Sequence, residues 1–243
     1  MGDLSRLSAV DAPFASGNTL IHFGAVDYNV TVYLNGATLG SHSGGYAGFS
    51  FDIGSKLKPA GNELILHVYD PSDFGFQVNG KQRISAITHP GGDTYTPSSG
   101  IWQTVWLESV PAEIYVSDLK VRADDRAIFL LVSTVPNVPG IVQGSVSFGG
   151  SVVANFAGVS FTEIVVPIAN PNLWHPDHPN LYMISLNVTE PSTGSVDSVN
   201  SYTGMRSVGL ANFSTSGGGT ALRPTINGQF TFLSGFLDQS WWS

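Results

Sequence analysis

The side chains best suited to chemistry fall within residues 91–108, GGDTYTPSSGIWQTVWLE. Asp93, Tyr95, Ser98 and Ser99 gather around the turn Pro97-Ser98-Ser99-Gly100. A carboxylate and hydroxyls can pair with sugar hydroxyls, and a phenol ring can cover a sugar face. The group therefore suits a carbohydrate rim. The same residue types also build an ordinary turn into a core strand, each for its own conformational reason. Just upstream, residues 71–94 show no periodicity and carry Asp73, Gln77, Lys81, Gln82, Arg83 and His89, with Asp70 immediately before them. A long irregular loop inside a compact domain is uncommon unless it serves a site. Asp73 and Arg83 thus join Asp93, Tyr95 and Ser98 as candidate carbohydrate-binding residues. The alternative is a solvated excursion whose charges do nothing.

Other chemistries find less support. Glycoside hydrolysis needs two carboxyl groups held roughly 5–9 Å apart on rigid elements. Asp70 with Asp93 is the nearest approach to such a pair, and no catalytic residue is assigned. No Ser lies in a G-x-S-x-G elbow, and no Gly-rich phosphate loop leads into a helix. His175 and His178 are three apart, but Pro176 prevents a helical presentation and no third ligand is evident, so no metal is expected. No cofactor is implied. The absence of cysteine excludes disulfides, thiolate metal sites and a Cys nucleophile.

The elements that must hold the loop read as strands. Ile101 to Leu107 alternates, with Trp102, Thr104 and Trp106 on one face; the large residues imply a strand inside a sandwich. Leu20 to Phe23 is the first convincing strand. Val30 to Leu34 is followed by Asn35-Gly36, the strongest short hairpin signal. Phe49, Phe51 and Ile53 alternate with polar residues, and Leu64 to Asp70 forms a further strand. After Pro111, short apolar strands recur up to Leu181–Val188, the last clear member, which argues for a second all-β sandwich. Beyond residue 200 a Gly/Ser tract precedes a short hairpin through Asn227-Gly228. The chain stops shortly after Trp241-Trp242, two indoles that need a cover.

Composition narrows the partners. The 243 residues carry 18 acidic and 10 basic side chains, a formal net charge of -8, with no Lys/Arg cluster. Nucleic acid is therefore not an expected partner. No apolar run could span a bilayer, so no membrane partner is expected. Residues 1–11 lack a signal-peptide core. Three sequons, at Asn29, Asn187 and Asn212, together with the low charge, lean towards secreted relatives.

Several ordered stretches carry a resemblance. Residues 20–27 (LIHFGAVD) with Val32-Tyr33-Leu34-Asn35-Gly36, then Gly44-Gly45-Tyr46, Asn62-Glu63-Leu64 and Val68-Tyr69-Asp70-Pro71, look like one domain type. Residues 96–108 (TPSSGIWQTVWLE) are the most specific of these. Together they resemble the sugar-binding domain of glycoside hydrolase family 2. Asn172-Leu173-Trp174 with Pro176-Asp177 and Leu181-Tyr182 resembles the end of that family's immunoglobulin-like domain. Gly204-Met205-Arg206, Asn227-Gly228 and Leu237-Asp238-Gln239 resemble the approach to its catalytic barrel.

The resemblance implies an all-β chain: a galactose-binding-like jelly-roll sandwich over 1–111, lacking some N-terminal strands, and an immunoglobulin-like β-sandwich over 112–200. A linker and the start of a truncated (β/α)8 domain would occupy 201–243. It implies a non-catalytic part of an enzyme acting on β-linked sugars, because the family's catalytic glutamates lie on barrel strands that match nothing here. Asp93 occupies a place like that of a sugar-contacting acid in the large β-galactosidases. A weak β-linked carbohydrate ligand, and self-association or the missing catalytic domain as a cover, are the expected partners. A self-standing carbohydrate-binding module and an interaction module with a vestigial site remain the alternatives.

Overall fold

The computed structural model describes residues 18–237 and is all-β across them. The segment before Asn18 and the Trp241-Trp242 pair lie outside the described residues. The chain divides at Val110/Pro111 into two compact units.

The first unit has two three-stranded antiparallel sheets and one short ladder. Strands β1 (Asn18–Phe23), β5 (Phe49–Asp52) and β8 (Val105–Val110) form a sheet in the order β5-β1-β8. Strands β3 (Asn29–Leu34), β4 (Ala37–Ser43) and β6 (Leu64–Tyr69) form the other, in the order β4-β3-β6. Strand periodicity puts Ile21 and Phe23 of β1, and Val30, Val32 and Leu34 of β3, into one shared core with Ile53, Leu64 and Leu66. Asn35 and Gly36 take φ of 52° and 82°, the left-handed pair that the β3–β4 hairpin requires. The buried Asn62 amide ties that hairpin down: its Oδ1 accepts from Asn35 Nδ2 (2.9 Å) and Lys58 N (2.8 Å), and its Nδ2 donates to Lys58 O (2.8 Å).

One expected strand is broken. Residues 101–107 do not run as a single element: β7 (Gly100–Ile101) pairs with β2 (Val26–Asp27), and only from Val105 does the chain pair with β1. Gly24, in the bend between β1 and β2, donates its N–H to Thr104 O at 2.8 Å. The partner bends there and the ladder is interrupted at 102–104, yet the two faces still alternate: Ile101, Val105 and Leu107 pack on the core. Trp102 and Trp106 stand on the opposite face, which is not covered as expected, and are 48% and 46% exposed. Trp106 finds cover on one face only, stacked on His22 with centroids 4.8 Å apart.

The second unit packs β9 (Tyr115–Ala123), β10 (Ala127–Val135) and β13 (Ile164–Pro167), in the order β13-β10-β9, on a four-stranded sheet. That sheet has the order β12-β11-β14-β15, from β11 (Ile141–Phe148), β12 (Ser151–Val159), β14 (Tyr182–Thr189) and β15 (Val196–Thr203). Their inward residues, among them Ile128, Leu130, Val142, Ile184 and Met205, make one core. Leu181–Val188 was expected to be the last clear strand of this sandwich, yet β15 pairs with β14 along its whole length. Its sequence VDSVNSYT hides it, since only Val199 of its partly buried positions packs on the core. Strands β16 (Val208–Ser214), β17 (Thr220–Ile226) and β18 (Gln229–Phe230) form a further three-stranded sheet.

Gly204-Met205-Arg206 has a packing explanation. A Cβ on Gly204 would stand 2.8 Å from Trp174 Cδ1, Met205 is fully buried, and the Arg206 guanidinium lies 4.9 Å from the centroid of the Trp174 ring. Trp174 N–H donates to Met205 O at 2.8 Å, and its carbonyl accepts from Asn227 Nδ2 at 3.0 Å.

Candidate functional site

Strand β6 ends at Tyr69, and the next residue, Asp70, fastens the irregular loop that follows. Asp70 Oδ1 accepts from Ser72 N–H at 2.7 Å, which turns the chain immediately. Its Oδ2 accepts from Ser99 Oγ at 2.7 Å, at the far end of the loop. Gln77 Nε2 donates to Ser72 O at 2.7 Å, with Asp70 Oδ1 at 3.4 Å. The loop was expected to lack structure. It holds 3-10 turns at Ser72–Phe74 and Ile84–Ile87 and its own cross-links.

Those cross-links use several of the expected site residues. Asp73 Oδ1 accepts from Ile84 N–H at 2.9 Å, joining the two 3-10 turns. Arg83 Nη1 donates to Gln82 O (2.7 Å) and Gly80 O (3.1 Å), and Gln82 Oε1 accepts from Ser98 N–H at 2.7 Å. Arg83 N–H donates to Tyr95 O and Tyr95 N–H to Lys81 O, at 3.0 and 2.9 Å. Asp93 is exposed in a tight turn bridged between Gly91 and Thr94. Tyr95 is 53% exposed. Asp73 and Arg83 therefore brace the loop, while Asp93 and Tyr95 face solvent from it.

The structure adds residues that the sequence reading passed over. Asp27 pairs with Gly100 across β2 and β7, beside Ser99. Burial, and next the neighbouring Asp70 carboxylate, push its pKa up from 3.8 to about 6. Asp70, which the sequence suggested pairing with Asp93, thus also acts on Asp27. Gly45 closes over it: a Cβ there would be 2.8 Å from Asp27 Oδ1. Gly45 O also accepts from Trp102 Nε1 at 2.6 Å, and the Trp102 ring meets Tyr46 edge-on at 5.0 Å. Two half-exposed aromatic rings thus stand beside a carboxylate pair. Residues 44–46 and 26–27 carried family likeness, but nothing in their spacing shows that the fold brings them together.

Among the described residues, no three His, Cys, Asp or Glu side chains gather as metal ligands would. His175 and His178 exchange backbone hydrogen bonds of 3.0 and 2.9 Å in a tight turn.

Comparison with known proteins agrees with the architecture. Residues 140–206 match the model of glycosyl hydrolases family 2. A Formosa agariphila protein named "Putative beta-glucuronidase" is 30% identical over 205 residues, 76% of this chain and 22% of that protein. A β-galactosidase of Thermoanaerobacter pseudethanolicus is 27% identical over 215 residues, 82% of this chain and 27% of its own length. Among solved structures, a β-glucuronidase from Ruminococcus gnavus shares the fold with TM-score 0.68 at 23% identity, over 94% of this chain and 39% of that one. The chain is a relative of the family 2 glycosyl hydrolases, alike through its β-sandwich region. It spans about a quarter of the curated relatives it matches.

Proposed function

We propose that this chain is the non-catalytic β-sandwich portion of a family 2 glycosidase acting on β-linked sugars, and that the loop rim of its first unit holds carbohydrate. In this reading the first unit is a galactose-binding-like jelly roll and the second an immunoglobulin-like sandwich, with residues 201–243 leading to a catalytic barrel. The relatives' names, β-glucuronidase and β-galactosidase, supply the substrate class. The observation that carries the binding is the loop itself: Asp70 fixes both its ends, and Asp93 and Tyr95 stand exposed on it. A fixed loop presents its side chains without first losing conformational freedom. The rim is open, so affinity is weak, in the range of about 1 mM. Titration with galactose, mannose, glucuronate and short β-linked oligomers, read by amide chemical shifts, tests it. Saturable shifts at Asp93 and Tyr95, lost in Asp93→Ala without unfolding, are expected; no shift at tens of millimolar sugar overturns it.

An interaction module is the second reading. One face of the β16-β17-β18 sheet carries Val208, Leu210 and Leu222, which are 73%, 67% and 62% exposed. Such an apolar face favours association with a catalytic domain or a second copy. Light scattering that shows a monodisperse monomer over a wide concentration range removes self-association.

A further inference from the structure

The outer face of the four-stranded sheet in the second unit is built differently from an ordinary solvated face. Register brings Asn155, Ser145, Ser185 and Asn200, one from each strand, to a single level. The adjacent level aligns Gln143, Asn187 and Ser198. Neither level holds a charged side chain. The backbone and side chains of β11, β12 and β14 here line a shallow, open groove of about 360 Å3.

The polar groups of the groove are held by their neighbours on β15. Ser185 Oγ donates to Asn200 Oδ1 at 2.8 Å, and Ser198 Oγ to Asn187 Oδ1 at 2.9 Å. Each bond takes one lone pair of an amide oxygen, so these amides offer a ligand both N–H donors and one further acceptor site. At the next level Tyr202 lies opposite Met183, and they are 63% and 49% exposed. An aromatic face next to amide donors and hydroxyls matches a sugar, whose C–H face stacks on a ring while its hydroxyls exchange hydrogen bonds. With no cation in the groove, an acidic ligand would find no charge partner.

We propose that this groove, lined by β11, β12 and β14 and bordered by β15, binds neutral oligosaccharide independently of the loop rim of the first unit. The site needs neither a barrel nor the Asp70 loop, so it stands or falls separately from the function proposed above.

The test uses the full chain made without N-glycosylation, because Asn187 lies in a sequon. Neutral β-linked gluco-, manno- and galacto-oligosaccharides, and a uronic-acid oligomer, are titrated while amide shifts are followed. Saturable shifts confined to the outer face of β11, β12, β14 and the bordering β15 are expected. They should be weakened at least about fivefold in Asn187→Ala and Tyr202→Ala at unchanged melting temperature, and unaffected by Asp93→Ala. The uronic oligomer should bind at least about tenfold more weakly. Shifts confined to residues 70–99, equal binding by the Asn187 or Tyr202 variant, or no saturation at about 10 mM of any neutral oligomer overturns the proposal.

Discussion

The Ser99 hydroxyl donates to Asp70 Oδ2 at 2.7 Å, joining two residues 29 positions apart and closing a loop on itself. The same carboxylate accepts from Ser72 N–H, so one side chain sets both where the loop leaves β6 and where it rejoins β7. A charge-assisted bond of this kind contributes about 1.5–3 kcal/mol. Asp70→Ala should therefore open the loop before it unfolds the sandwich. Limited proteolysis should then cut within 71–99 much faster than in the parent, with the second unit intact. Equal cleavage rates would show that the internal cross-links suffice.

Asp27 offers a pH test. Its folded pKa, about 6, lies above the ordinary 3.8, so the folded state holds a proton that the unfolded state releases between those values. This carboxyl therefore favours folding most below about pH 4, and its contribution falls as pH rises to about 6 and is flat above. The cost of ionising it is on the order of 1–2 kcal/mol once solvent screening is allowed for. Asp27→Asn should raise stability at pH 7 and leave it nearly unchanged at pH 4. Denaturant melts of the two proteins across pH 4–8 decide it; parallel curves would contradict the assignment.

Asn62 is a buried amide with three hydrogen bonds, two accepted at Oδ1 and one donated from Nδ2. Asn62→Ala strands Lys58 N–H and Lys58 O and loosens Asn35, so a loss of about 2–3 kcal/mol is expected. Urea unfolding checks this, and a loss below 1 kcal/mol, roughly, would mean water replaces the amide.

Gly204→Ala places a methyl 2.8–2.9 Å from Trp174 Cδ1 and Cγ. Backbone bonds at Trp174 N–H and at its carbonyl fix the Cβ, itself 3.0 Å from the added methyl, so rotating the ring alone does not remove the clash. A loss of about 1–3 kcal/mol is expected. A red-shifted Trp174 emission would accompany it if the ring is expelled, and an unchanged melt would show that the segment gives way.

Much of the fold was legible in the residues because its signals are local. Strands such as β3 and β6 alternate cleanly, and Asn35-Gly36 marks its own turn. The breaks are not local. Residues 101–107 alternate as well as any strand, and their two faces do separate; where the ladder breaks depends on the bend at Gly24, some 80 positions earlier, and nothing in the alternation tells that the Trp102/Trp106 face is left half exposed. Strand β15 was hidden for the opposite reason, since an edge strand with a polar outer face lacks a strong apolar pattern. At the candidate site the loop itself was legible through its length and its charges. That Asp73 and Arg83 brace it, while Asp27 lies against Gly45 and feels the Asp70 charge, depends on contacts between distant segments.

The pairing of β1 with β8 sets an order of events during synthesis. Asn18 lies opposite Val110 and Phe23 opposite Val105, so the central strand of one sheet waits for the last strand of its unit. Ile21 and Phe23 are core residues on that waiting strand. Contacts this distant along the chain form late, after a large loss of chain entropy. While residues up to Val110 are still within the ribosome, the nascent first unit cannot complete its sheet. A chaperone that shields apolar strands has its longest opportunity in that interval.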